Sequence, residues 1–176
     1  MTVWVVRVPG EERAAVRELA VRLAASVAGV PVAGVRLERA ASGQPVVRGA
    51  AGVAVSLSHA RGVVAAAAVQ ADAQAGAPAG VGVDVERIRP VAHALLARRW
   101  FTAAEAAWLA GLAPAQRSAG FLWLWTRKEA AAKALGQGLG GGVGLRRAVV
   151  EGNRWETTNH KQLPEEPKTS KVSLPF

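Results

Sequence analysis

Apolar residues run from Val3 to Val8 and stop at the breaker pair Pro9-Gly10, the pattern of a short strand. Beyond it, Val16, Leu19, Leu23 and Val27 recur at three-to-four spacing behind Glu11 and Glu12, whose charge suits a helix N-terminus. A helix is therefore expected there, stopped by Gly29 to Pro31. Val35 to Arg39 and Val53 to Leu57 read as short strands separated by the turn-rich stretch ASGQPVVRG, and Val63 to Val69 as a further, buried strand after the Arg61-Gly62 turn. The Ala, Gly and Pro of residues 71 to 80 suggest a linker.

The second half opens with VGVDVE (Val81 to Glu86), read as a strand. Helical periodicity follows at about Val91 to Arg99, Ala103 to Ala110 and Gln116 to Leu135; the glycine-rich GQGLGGGVG ends the last of these, and Leu145 to Val150 suggests another strand. Both halves mix helix with strand, which favours an α+β protein of two similar lobes. The boundaries expected are 1–75 for the first lobe, 80–153 for the second and 154–176 for an atypical tail. That last stretch, from Trp155 on, holds no Ala or Gly in a chain full of both, and it reads as disordered.

Composition narrows the chemistry. At 176 residues and 51% hydrophobic, the chain can bury a core. No stretch approaches the roughly 20 continuous apolar residues needed to cross a bilayer, and MTVWVVRVPGEER lacks a signal-peptide layout, so a cytoplasmic location without membrane contact is expected. With no cysteine, thiolate metal sites, disulfides and thiol nucleophiles drop out, leaving oxygen or imidazole to hold any metal. The net charge of +9 calls for an anionic partner. Of 22 basic residues 17 are Arg, and the only Lys before residue 160 are Lys128 and Lys133, in one helix, where a compact ammonium is a different tool from a guanidinium.

On a strand, Gly82, Asp84 and Glu86 share the face opposite Val81, Val83 and Val85, placing two carboxylates roughly 7 Å apart beside a glycine that leaves room for something large. Hard oxygen ligands of this kind suit magnesium. The same acids could equally pair with Arg87 or Arg89 at a sheet edge. Trp125, Glu129 and Lys133 align on one helix face, with Lys128 a quarter turn away. Glu129 could add a third carboxylate and Lys133 a mobile charge for a diphosphate, or the two could be an ordinary helix ion pair. Ser58 and His59, at a strand end, could donate to phosphate oxygens or a base. A serine hydrolase is disfavoured for want of a glycine-flanked nucleophile elbow, and no Walker or dinucleotide glycine loop leads into a helix.

Four segments in order, SLSHARG, GVDVERIRP, RRWFTAAEAAW and LWTRKEAAAKALGQGL, resemble the motif set of the phosphopantetheinyl transferases of the surfactin-synthetase type over about residues 30 to 145. The resemblance implies two pseudo-twofold α+β lobes with coenzyme A between them. It implies a magnesium-dependent enzyme that moves phosphopantetheine to a serine of an acidic acyl or peptidyl carrier protein. By position, Asp84, Glu86 and Glu129 would hold magnesium, Lys133 and Lys128 would meet phosphate oxygens, and Ser58 with His59 would hold the adenosine 3′-phosphate end. Asp84, Glu129 and Lys133 form the catalytic set. Gln44 stands where relatives often have a basic residue before the proline, with Arg48 nearby to compensate. Glu105, in the Phe101-Thr102-xx-Glu105 motif, reads either as supporting the residues of the site from behind or as structural. Relatives close the second lobe with further strands after about Val149, where this chain has its polar tail, so a truncated second lobe is expected. The rival readings are a catalytically weak relative that binds coenzyme A or carrier protein, and a basic nucleic-acid-binding module, disfavoured because the arginines are scattered and Tyr is absent.

Overall fold

A computed structural model describes residues 1–71 and 80–136. The expected linker between those spans, the expected strand at Leu145 to Val150 and the tail lie outside the described residues, as do residues 137–153 of the expected second lobe. The architecture is α+β. Strands β1 (Thr2–Arg7), β4 (Val53–Ala60) and β5 (Val63–Gln70) form an antiparallel sheet in the order β1-β5-β4, and β2 (Arg36–Arg39) pairs with β3 (Pro45–Arg48) in a separate antiparallel hairpin. Helix α1 (Glu12–Ala28) packs on the three-stranded sheet. Helices α2 (His93–Trp100), α3 (Ala103–Gly111) and α4 (Arg117–Ala134) assemble the second half.

The first core is built of small residues. Ala20, Leu23, Ala24 and Ala25 of α1 meet Val53 and Val55 of β4 and Ala66 and Ala68 of β5, all buried, with Leu57 packed against them. Alanines let helix and sheet approach closely; from Val64 to Ala68 every residue of β5 is buried, so both faces of this central strand are covered. α1 ends as expected at Gly29, whose φ of 68° is the left-handed geometry of a helix stop. The second core is aromatic. Phe101 stacks on Phe121 at 5.0 Å, Phe121 on Trp125 at 6.0 Å, and Trp100 meets Trp125 edge-on at 6.1 Å.

Two expectations need correction. The stretch read as one long turn after Arg39 contains β3, and its Pro45 opens the strand opposite Arg39, a position that costs no ladder bond inside the sheet. Val81 to Glu86 joins neither sheet among the described residues. Its backbone is satisfied another way: the Val83 and Val85 amides donate to the hydroxyls of Ser56 (3.1 Å) and Ser58 (3.2 Å). On its other flank it presses on α4, because a β-carbon at Gly82 would run into the Ala130 carbonyl and one at Gly80 into that of Ala134. What Gly82 makes room for is therefore helix backbone. The segment is a filling between β4 and α4, and it carries both acids of the GVDVE motif.

Candidate active site between the sheet and the last helix

Ser56 and Ser58 share the face of β4 opposite Val53, Val55 and Leu57, so the strand that buries its valines on α1 turns hydroxyls toward the acidic segment. The Ser58 hydroxyl donates to Asp84 Oδ1 at 2.7 Å. Lys133, in the last turn of α4, reaches the same oxygen at 2.7 Å and also the carbonyls of Val83 (3.0 Å) and Leu57 (3.4 Å). One ammonium thus touches β4, the acidic segment and α4. A point charge with three rotatable donors suits this spot better than a planar guanidinium.

One turn earlier, Glu129 is buried at 4% exposure, and its Oε1 has no hydrogen-bond partner. Burial pushes its carboxyl from the ordinary 4.5 to about 7; the charge of Asp84 adds to the rise, Lys133 opposes it and Glu86 adds a smaller push. The three acids from separate elements therefore feel one another. They are not gathered into a ready metal-binding group among the described residues: Asp84 is engaged by Lys133 and Ser58, and Glu86 pairs with Arg89 at 3.5 Å. The donor set still fits a hard divalent cation, since it is all carboxylate and includes an orphaned buried oxygen.

A cavity of about 820 Å³ opens beside this site, between α1, the β2-β3 hairpin, β4 and the end of α4. Arg13, Arg17, Arg39, Gln44, His59 and Lys133 line it, with Glu38 the one carboxylate among the described lining residues. Arg48 lies outside the lining and bonds Glu38 at 3.0 Å, which offsets that lone negative charge. Arg17 donates to the Leu37 carbonyl at 2.9 Å and so ties the hairpin to α1. The wall is cationic on balance, and a volume of this size is in the range of small-molecule sites. Lys133 belongs to both places: it lines the cavity and bonds Asp84.

The structure thus brings together Asp84, Glu129 and Lys133, with Glu86 near enough to act on Glu129, and sets Gln44 and His59 on the cavity wall. Two residues expected at phosphate lie elsewhere. Lys128 is fully buried in the second core, with its ammonium 2.9 Å from both Glu105 oxygens and 6.0 Å from the centre of the Phe101 ring. Glu105 itself completes a capping box with Thr102 at the start of α3, the structural role its motif suggested. Ser58 is absent from the cavity lining, and its hydroxyl is engaged by Asp84 and Val85. Sequence reasoning missed Arg13, Arg17 and Arg39; the first two stand four apart, one face of α1, which was the available signal.

Fold and site together define a protein with a cationic small-molecule cavity abutting paired acids. Residues 80–174 match the 4′-phosphopantetheinyl transferase superfamily, and the chain belongs to that family. It is 33% identical over 89 residues to the 4′-phosphopantetheinyl transferase gsp of Aneurinibacillus migulanus, covering 51% of this chain and 36% of that protein. It is 42% identical over 64 residues to a provisionally named 4′-phosphopantetheinyl transferase of Synechocystis, covering 36% of this chain and 26% of the relative. The aligned part spans about a third or less of these curated relatives. The family match runs through residue 174, across the stretch set apart in the sequence as a tail. No helix among the described residues is long and apolar enough to cross a membrane.

Proposed function

We propose that this chain is a phosphopantetheinyl transferase that moves the phosphopantetheine arm of coenzyme A onto a serine of an acidic acyl or peptidyl carrier protein in the cytoplasm. The observation that carries this reading is Lys133, which stands on the wall of a cationic cavity and on Asp84 at once. A diphosphate bound there would lie between guanidinium groups and carboxylates. Family membership supports the same reading.

In this reading Asp84, Glu86 and Glu129 hold a magnesium ion, which when bound neutralises charge on the phosphoryl oxygens. Arg13, Arg39, Gln44 and His59 bind the phosphorylated adenosine end of coenzyme A. Lys133 leaves Asp84 and follows the attacked phosphate. The carrier serine oxygen forms a bond to the β-phosphorus, the diphosphate bond breaks, and adenosine 3′,5′-bisphosphate departs. Glu129 takes the serine proton, directly or through a water. Positioning does most of the work. Lys128 has no part in phosphate contact here; it braces α4 through Glu105.

The architecture belonging to this reading is a pair of pseudo-twofold lobes, 1–75 and 80–153, with coenzyme A in the cleft and 154–176 as an appended tail. The cationic cavity walls favour encounter with an acidic carrier and make it salt sensitive. The test is intact-mass analysis of a panel of apo carrier proteins incubated with the purified chain, magnesium and coenzyme A, alongside Glu129→Ala. A gain of one phosphopantetheine that needs both the metal and Glu129 is expected. Coenzyme A binding with no gain on any carrier would instead indicate a relative that binds without transfer, and salt-dependent nucleic-acid binding without affinity for coenzyme A would support the basic binding module.

A further inference from the structure

The segment Val81 to Glu86 has no ladder partner among the described residues, yet its inner amides are bonded. Buried backbone N–H groups are satisfied almost without exception, usually by carbonyls of a neighbouring strand. Here two side-chain hydroxyls serve instead. Ser56 and Ser58 are two residues apart on β4, as Val83 and Val85 are on the segment, so the two strands of chain run in step with serine oxygens standing in for carbonyls. Both serines are buried, at 4% and 8% exposure. The Ser58 hydroxyl does more than accept: while it accepts a hydrogen bond from the Val85 amide, it donates one to Asp84 Oδ1. Backbone and carboxylate of the same segment are thereby fixed by one oxygen, and Lys133 donates to the same Asp84 oxygen.

We propose that Ser56 and Ser58 are positioning residues: their hydroxyls fasten the acidic segment to the first sheet, and Ser58 sets the Asp84 carboxylate in place toward Glu129. Carbonyls would bond the amides equally well, but only a hydroxyl can accept from Val85 and donate to Asp84 at the same time. What Asp84 does once placed rests on the proposed function; the fastening does not.

The test uses the full chain. Amide exchange at Val83 and Val85 is followed by NMR in the wild type and in Ser56→Ala, Ser58→Ala, Ser58→Cys and Ser58→Thr, with Mn²⁺ affinity read by paramagnetic resonance and coenzyme A affinity by calorimetry. Ser56→Ala should speed exchange at Val83 about tenfold and at Val85 less; Ser58→Ala should do the reverse. Ser58→Ala should also weaken Mn²⁺ binding about tenfold. Ser58→Thr should restore both readouts, and Ser58→Cys, with its weaker acceptor, should fall between, which keeps the test open should the alanine variant fail to fold. Unchanged exchange at Val83 and Val85, or Mn²⁺ affinity unaltered by Ser58→Ala, overturns the proposal. A wild type that binds neither Mn²⁺ nor coenzyme A defeats the proposed function instead, and the exchange rates alone then decide the fastening.

Discussion

The ammonium of Lys133 lies 2.7 Å from Asp84 Oδ1, joining the last turn of α4 to a segment 49 residues earlier in the chain. Two further contacts, to the carbonyls of Val83 and Leu57, make this lysine a three-point tie, and the Leu57 bond crosses to the first half. Lys133→Met keeps the stem and removes the charge, so both the tie and the phosphate contact proposed for it go. A charge-assisted hydrogen bond contributes about 1.5–3 kcal/mol, and transfer to a carrier serine should fall by about ten- to a hundredfold. Turnover assayed by carrier mass gain, beside a urea melt, separates lost chemistry from lost stability.

Glu129 gives the metal-free protein a pH dependence with a definite sign. Its folded carboxyl titrates near 7 against 4.5 in the unfolded chain, so the unfolded form sheds its proton first as pH rises. Its favourable contribution is complete below about 4.5 and is lost progressively up to about 7, by an amount on the order of 3 kcal/mol. Glu129→Gln should therefore be more stable than wild type above pH 7, with the gap closing toward pH 5. Denaturant melts of both proteins in chelator across this range check it; parallel curves would contradict the assignment.

The Lys128–Glu105 pair is buried at both ends, with 0% and 11% side-chain exposure. Removing one partner leaves an uncompensated charge in the aromatic core, so Lys128→Ala and Glu105→Ala should each destabilise by about 3–5 kcal/mol. Changing both to apolar residues, Lys128→Met with Glu105→Leu, should recover most of that apart from the α3 cap, worth about 1 kcal/mol. A double-mutant cycle in urea measures the coupling.

Gly82→Ala drives a methyl into the Ala130 carbonyl of α4, where only backbone movement can relieve it. A loss of about 3 kcal/mol is expected, together with weaker Mn²⁺ binding as Asp84 shifts. Gly10→Ala, where nothing stands within 4 Å, is the control and should change the melting temperature little.

Much of this was legible in the pattern of residues. The helices of the second half follow from apolar periodicity, which burial on one face imposes, and β1, β4 and β5 from short apolar runs, of which β5 is covered on both faces. The four-residue β3 was hidden because proline, glycine and serine around it signal turn more strongly than Val46 and Val47 signal strand. VGVDVE alternates as a strand should, but alternation cannot reveal whether the neighbour offers carbonyls or hydroxyls, and that depends on β4 meeting it in space. Lys128 illustrates the same limit. Its helix position fixes a direction to within a quarter turn, yet whether phosphate or Glu105 waits there is decided by how α3 packs. The scarcity of lysine proved informative: both lysines of α4 are held at 2.7–2.9 Å by carboxylates.

The fastening of Val81 to Glu86 separates two notions of a unit that usually coincide. The family match begins at residue 80, whereas the hydrogen bonds that seat Val83 and Val85 come from serines 27 residues upstream of each. A boundary drawn where that match starts would sever the acidic segment from the hydroxyls that hold its backbone.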